Sequence, residues 1–317
     1  MDGRHKAGHD GGEGLVRDSS FPRPALILTA TGLCLVLVGC FGPVPPTPHP
    51  HYVLGGAYLV NGVWFYPREN EDLDETGLAQ LIPPDHPALT TNGELFDQTA
   101  MAAAHTTLQL PAIARVTNLE TGRSVLVRIN DRGSGNPRRV IELTRRAATL
   151  LGMPETGVAR VRLQVLSGLS HAAADGLADA PRMAMAAVPR GVVEVAELPP
   201  PPGARVGQGH SLPQTAATGL DPAAPLAPPL RLPETVTQGP ATPGRLWVRL
   251  DSFEEYQYAA VLRARVAGLG PHITQVNEGR THLFRVEVGP LDDVHQADTI
   301  LDRALAAGIP DARIVVE

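Results

Sequence analysis

Ser124-Val125-Leu126-Val127-Arg128-Ile129, running into Asn130-Asp131-Arg132-Gly133, is the stretch on which the reading of this 317-residue chain turns. Val125, Val127 and Ile129 alternate with Leu126 and Arg128, the period-two pattern of a strand whose two faces differ. Asn-Asp-Arg-Gly then supplies turn residues, so the Asp131 carboxylate is displayed at a strand end. Toward the C-terminus, Val140 to Leu143 reads as a second strand, followed by a helix, Arg145 to Leu151, with Gly152 as its C-cap. Toward the N-terminus lie the polar turn Thr91-Asn92-Gly93-Glu94 and a single histidine, His105, after an alanine run. By residue type alone the Asp131 turn is structural, His105 is a satisfied polar residue and Glu94 belongs to a solvated turn.

Order and spacing add to this. Thr91-Asn92-Gly93-Glu94, Ala103-Ala104-His105-Thr106-Thr107-Leu108, Arg115 to Leu119 with Gly122-Arg123-Ser124, and Val127 to Gly133 together resemble the rare lipoprotein A family, over Tyr52 to Leu166. The resemblance implies a double-psi β-barrel whose active members are lytic transglycosylases cutting peptidoglycan glycan strands. It implies Asp131, His105 and Glu94 as catalytic positions, and Asn92, Asn130, Arg132 and Glu142 as substrate contacts. Three departures from the family pattern stand out. Gly77-Leu78-Ala79-Gln80-Leu81-Ile82-Pro83 lacks the first-strand aromatics, Ser134-Gly135-Asn136-Pro137 replaces Pro-Phe, and Glu142 stands where the family has aspartate. Aromatic faces hold sugar rings by stacking, and there is no Phe, Tyr or Trp between Phe96 and Trp247 to replace them.

Cleaving a glycosidic bond requires a proton for the leaving oxygen and stabilisation of an oxocarbenium-like centre, which carboxyl groups commonly supply. A lytic transglycosylase uses the sugar's own hydroxyl in place of water, so a base must also take that proton. Asp131 is the first choice for acid and base, with Glu94 as second carboxyl or substrate-orienting acceptor and His105 orienting a carboxylate. One physical objection arises: seven arginines lie between Arg123 and Arg146 against two carboxylates. Nearby positive charge lowers a carboxyl pKa, whereas a general acid needs it raised. Either Asp131 is desolvated enough to compensate, or the arginines point outward to bind peptidoglycan carboxylates.

Arg17 and Arg23 precede an apolar run, Ala25 to Val38, with the proportions of a signal-peptide core. Leu37-Val38-Gly39-Cys40 looks like a bacterial lipobox, making Cys40 the lipidation site; the alternative is an uncleaved membrane anchor. The one other cysteine, Cys34, would be removed by cleavage, leaving no thiol for a disulfide or metal. Residues 41–51 read as a Pro/His-rich tether. Tyr58-Leu59-Val60, Asn61-Gly62 and Val63 to Tyr66 read as a hairpin.

Val158 to Leu166 alternates as a last barrel strand. From 168 to 243 the chain is rich in Ala, Gly and Pro and reads as a disordered linker, spanning on the order of 50 Å as a flexible coil. Order returns at Gly244 with a βαββαβ pattern, that of a ferredoxin-like sheet. Its Phe284-Arg285-Val286-Glu287-Val288-Gly289-Pro290 resembles the sporulation-related repeat, which implies binding to peptide-free glycan.

The fold class is therefore mainly β plus α+β: a signal segment (1–40), tether (41–51), lead-in hairpin and acidic segment (52–76), double-psi barrel (77–167), linker (168–243) and glycan-binding module (244–317). The expected function is lytic transglycosylation in the periplasm, on a lipid anchor to the outer membrane, with peptidoglycan strands and division-septum proteins as partners. The alternative is a wall-binding lipoprotein without turnover. A net charge of −6 gives no nucleic-acid signature, and neither a metal motif nor a phosphate loop is present, so no cofactor is expected.

Overall fold

The computed structural model describes residues 46–154, 157–181, 231–279 and 281–317. Cys40 and the signal segment lie outside the described residues, as do residues 182–230 of the linker.

Strands β1 (Tyr58–Val60) and β2 (Val63–Phe65) form the expected hairpin. Its tight turn requires positive φ at both central residues, which Asn61 (49°) and Gly62 (81°) provide. The next six strands are β3 (Asp74–Leu81), β4 (Ala102–Ala104), β5 (Ala112–Asn118), β6 (Arg123–Asp131), β7 (Ile141–Leu143) and β8 (Val158–Val165). They pair in the order β4-β7-β3-β8-β5-β6, and β4 pairs again with β6, closing the sheet into a barrel. The β3–β7 and β4–β6 pairs are parallel and the others antiparallel. β4 covers β6 from Arg128 to Asp131 and leaves the Arg123–Val125 edge open to a further strand. Inside lie Ala114, Val116, Val127, Ile129, Leu143 and Leu163.

Ala102 to Ala104 has little intrinsic strand preference. It is a strand because it fills the gap between β6 and β7, whose ladders it completes. Helix α1 (Arg145–Leu151) starts where the Thr144 hydroxyl accepts from the Ala147 N–H, and ends at Gly152 with φ 72°. It packs Ala147, Ala148 and Leu151 into the barrel core.

The boundaries differ from the sequence reading at both ends of the barrel. The first barrel strand begins at Asp74, taking in part of the acidic segment that was assigned to the lead-in. Part of the expected linker is ordered against the barrel. Helix α2 (Ser167–Ala174) docks on β5, where the Ile113 N–H donates to the Ser170 hydroxyl at 2.9 Å. Strand β9 (Val236–Gln238) pairs with β6 through Val125↔Val236, and Arg146 pairs with Glu234. Their low aromatic content hid these segments: they are held by backbone pairing, side-chain to backbone bonds from Ser170 and Gln238, and the pairs Arg146–Glu234 and His171–Glu71.

The C-terminal module follows the expected order: β10 (Leu246–Phe253), α3 (Tyr256–Arg265), β11 (His272–Glu278), β12 (Thr281–Leu291), α4 (Val294–Ala306) and β13 (Arg313–Val316). The antiparallel sheet runs β11-β12-β10-β13. Leu246, Val248 and Leu250 share a core with Ala259, Leu301 and Ala304.

This module is docked on the barrel. Leu78, on the outer face of β3, is 1% exposed because it is buried in the module's core together with Leu119. The Thr76 hydroxyl donates to the Val316 carbonyl at 2.8 Å and accepts from the Val316 N–H at 3.0 Å. Arg139 grips Asp298 at 2.7 and 2.9 Å, and Arg138 grips Asp302 at 3.0 and 2.8 Å. A side chain at Gly77 would come within 3.0 Å of Val140 and 3.3 Å of the Ile314 carbonyl, so glycine lets β3 approach both without displacing them. The run Gly77-Leu78-Ala79 is apolar on both faces because both faces are covered.

Leu78→Ala is expected to destabilise the protein by about 2–5 kcal/mol, the range for a buried leucine that leaves a cavity. Urea unfolding monitored by tryptophan fluorescence measures it. A change below about 0.5 kcal/mol, the range of surface substitutions, would place Leu78 in solvent.

Candidate functional site

β6 ends at Asp131, which is 6% exposed although it stands at the rim of the barrel. Its Oδ1 accepts from the Thr91 N–H at 2.7 Å and the Thr91 hydroxyl at 2.6 Å. Its Oδ2 accepts from the Gly133 N–H at 3.0 Å and lies 2.8 Å from Nε2 of His86. Gly133 is required: its φ is 71°, and a Cβ there would sit 2.7 Å from a Glu142 carboxylate oxygen. A cleft of about 430 Å³ opens beside these groups, lined among others by Asp85, His86, Thr91, Asp131 and Ser134. Burial pushes the Asp131 carboxyl up, but the hydrogen bonds from His86, Thr91 and Gly133 outweigh it and hold its pKa below the usual carboxylate value.

Of the seven arginines, Arg123 and Arg145 are exposed, and the other five are engaged within the chain. Arg128 is paired with Glu94, Arg138 and Arg139 with the C-terminal module, and Arg146 with Glu234. The Arg132 guanidinium donates to the carbonyls of Leu54 (2.7 Å), His105 (3.3 Å) and Leu108. These arginines are internal clamps. The Asp131 carboxyl is depressed by local hydrogen-bond donors.

Glu94 is 4% exposed and serves as a hub. Arg128 donates to it from Nε and Nη2 at 3.0 and 2.7 Å, Asn92 at 2.7 Å and Asn130 at 2.8 Å. Burial pushes its carboxyl up, and Arg128, Asn130 and Asn92 more than reverse that. Asn92 and Asn130 are thus spent on Glu94, and Arg132 on backbone carbonyls. Glu142 is also buried. All four residues expected to contact substrate hold the loops around the cleft.

His105 faces a different space. Its Nδ1 accepts from the N–H groups of Thr107 and Leu108, both at 3.1 Å, which fixes the proton on Nε2. That nitrogen lies 3.7 Å from Glu75 in a smaller pocket of about 130 Å³ beside Arg138 and Arg139. The link to Asp131 is through backbone: the His105 N–H donates to the Asp131 carbonyl at 2.9 Å.

His86 was missed. It sits in Pro83-Pro84-Asp85-His86-Pro87, where flanking prolines restrict the backbone, and that restriction is the one local signal available. The three departures from the family pattern prove to be one network. Gln80 donates to Glu142 at 2.8 Å, Asn136 to Gln80 at 3.0 Å, and the Ser134 N–H to Glu142 at 3.1 Å, with the Ser134 hydroxyl also on Glu142. Aromatic surface comes from the hairpin. The Tyr58 hydroxyl donates to the Thr106 carbonyl at 2.7 Å, and Trp64 and Tyr66 stack on each other at 6.5 Å, 52% and 63% exposed. Among the described residues no group of His, Cys, Asp and Glu could hold a metal ion.

Residues 74–163 match the family described as "Lytic transglycolase". The chain is 31% identical over 278 residues to the endolytic peptidoglycan transglycosylase RlpA of Pseudomonas aeruginosa (strain UCBPP-PA14), covering 85% of this chain and 79% of that one. The protein of the same name from Campylobacter jejuni is 42% identical over 113 residues, 34% of this chain and 40% of the other. A solved structure, the SPOR domain of RlpA from Pseudomonas aeruginosa, aligns over 23% of this chain and 99% of that one, with 21% identity and a TM-score of 0.22.

Because the carboxyls of Asp131 and Glu94 are depressed on folding, the stability they contribute is fully present above their unfolded values of about 4 and is lost as pH falls through the folded ones. The urea midpoint is therefore expected to hold between pH 7 and 5 and to drop below about pH 4. Glu94→Gln should lower neutral stability by about 3–5 kcal/mol, since Arg128 is left buried and unpaired, and should make the acid drop shallower. An unchanged acid drop in that variant would contradict the assignment.

Proposed function

The chain belongs to the RlpA family of endolytic peptidoglycan transglycosylases, and we propose that it cleaves peptidoglycan glycan strands at Asp131 without water, leaving anhydro-muramic ends. The observation that carries this reading is the buried Asp131 carboxyl group with a histidine on one oxygen, at the head of a cleft of about 430 Å³. The carboxylate stabilises the oxocarbenium-like centre and accepts the proton of the sugar's own hydroxyl as that oxygen closes on the anomeric carbon. Glu94 and Arg128 hold the loop that presents Thr91, and His105 supports the site through the backbone of Asp131. Trp64 and Tyr66 offer sugar-stacking faces in place of those missing from the first strand.

The C-terminal module binds peptide-free glycan in this account. Its docking through Asp298 and Asp302 supports a fixed distance between a strand so bound and Asp131. Lipidation at Cys40 tethers the protein to the outer membrane, with division-septum proteins as its neighbours. No helix among the described residues is long and apolar enough to cross a membrane. A second reading, wall binding without turnover, draws on the depressed Asp131 carboxyl, which by itself makes a poor acid.

Purified protein incubated with peptide-free glycan strands, with products read by mass spectrometry, tests the first reading against the second. Anhydro ends are expected; reducing ends would mean hydrolysis, and no cleavage would leave binding alone. Asp131→Asn should lower turnover by about two to four orders of magnitude. The same variant weakens the grip on Thr91 and should also cost about 1–3 kcal/mol of stability. Cleavage at the wild-type rate would remove Asp131 from the mechanism. Cys40→Ala should move the protein out of the membrane fraction, whereas a wild-type protein already soluble and free of lipid would end the anchoring proposal.

A further inference from the structure

We propose that the acid of this site is the His86–Asp131 pair, with His86 carrying the proton that reaches the glycosidic oxygen. The inference rests on the transglycosylase reading and adds the residue that makes it chemically workable. Nδ1 of His86 lies 2.6 Å from the Pro87 carbonyl oxygen. A carbonyl can only accept, so Nδ1 bears a proton. The 2.8 Å contact between Nε2 and Oδ2 of Asp131 then needs one more proton between two groups that would otherwise both be acceptors. Imidazolium beside carboxylate and imidazole beside carboxylic acid contain the same number of protons, so the pair shares one proton between Nε2 and Oδ2. The remaining donors on Asp131, from Thr91 and Gly133, favour the ionised carboxylate, which places the shared proton on His86.

The environment suits that role. The His86 side chain is 8% exposed, its ring stacks at 3.9 Å on Phe96, and it lines the cleft with Asp131. Asp85 lines the same cleft, and Tyr58, Arg132 and Glu142 stand near Asp131. Each of the latter three is committed elsewhere: Tyr58 to the Thr106 carbonyl, Arg132 to the three carbonyls, Glu142 to Ser134 and Gln80. His105 cannot substitute, because its Nδ1 already accepts two backbone N–H groups and it faces the other pocket.

The step balances. The bond between the anomeric carbon and the bridging oxygen breaks, its electron pair goes to that oxygen, and the oxygen takes the proton from Nε2. This leaves neutral imidazole beside carboxylate. The sugar's C6 hydroxyl then bonds to the anomeric carbon and its proton returns to the pair, restoring the starting state with no second reactant.

His86→Gln is the discriminating variant, since its amide N–H can still donate to Asp131 but cannot be released. With peptide-free glycan strands, it should bind uncut strands as the wild type does and cleave them about 10²- to 10⁴-fold more slowly. The wild-type rate should fall as pH rises, because the pair loses its shared proton, and the variant should lack that alkaline limb. In the wild-type protein, ¹⁵N spectra should show Nδ1 of His86 protonated throughout and Nε2 losing its proton at the pH where the rate falls. A variant that cleaves at the wild-type rate overturns the proposal. So does one that is slow but keeps the alkaline limb, which would make His86 a positioning residue only. Should His86→Gln fail to fold, the spectra decide: an unprotonated Nδ1, or a proton loss unrelated to the rate, overturns it. A wild type without anhydro products would instead defeat the transglycosylase reading, while the spectra would still report on the pair.

Discussion

The buried ion pair between Glu94 and Arg128 fixes the rest of the site. Arg128 lies in β6 opposite Ala102 of β4, at the parallel seam that closes the barrel. Glu94 lies in the loop whose Thr91 covers Asp131. Joining them pins that loop to the seam, and Asn92 and Asn130 satisfy the remaining carboxylate lone pairs. A buried pair of this kind contributes little net stability against an apolar replacement, but losing one partner costs about 3–5 kcal/mol. Its value here is positional: it adds a buried clamp to the backbone bonds, such as Asn92 N–H to the Asn130 carbonyl, that hold the Thr91 loop over the Asp131 carboxylate.

The sequence made the local elements legible where periodicity and turn chemistry agree. Val125 to Ile129 gave β6, Asn61-Gly62 gave the hairpin turn, Gly152 gave the helix stop, and the six elements of the C-terminal module appear in the expected order. Asp131 at a strand end was equally readable. What could not be read is partnership across the chain. Glu94 and Asp131 look alike as acidic residues near turns, yet one is sealed by Arg128 and the other opens on the cleft. His86 carries no motif of its own among prolines, and gains meaning when the loop folds back over a residue 45 positions away. Strand β9 and helix α2 were lost in a composition that reads as linker because side-chain to backbone bonds, ladder pairing and ion pairs hold them.

Gln80, Ser134, Asn136 and Glu142 carry a related lesson. Taken one at a time against the family pattern, they look like losses of an aromatic face, a Pro-Phe pair and an aspartate. In space they are one hydrogen-bonded set, in which the longer Glu142 side chain reaches both Ser134 and Gln80. The loop after Asp131 is thus held by polar contacts. The same loop runs on to Arg138 and Arg139, which anchor the C-terminal module, so the catalytic loop and the docking surface are one continuous segment.

The account stands on Asp131 being an ionised hydrogen-bond hub at neutral pH, not a protonated acid. Titration of its side-chain ¹³C carboxyl resonance in the folded protein tests this most directly. The account predicts a carboxylate shift that persists from neutral pH to below the ordinary aspartate value of about 3.9. A resonance that reports a protonated carboxyl near neutral pH would contradict it.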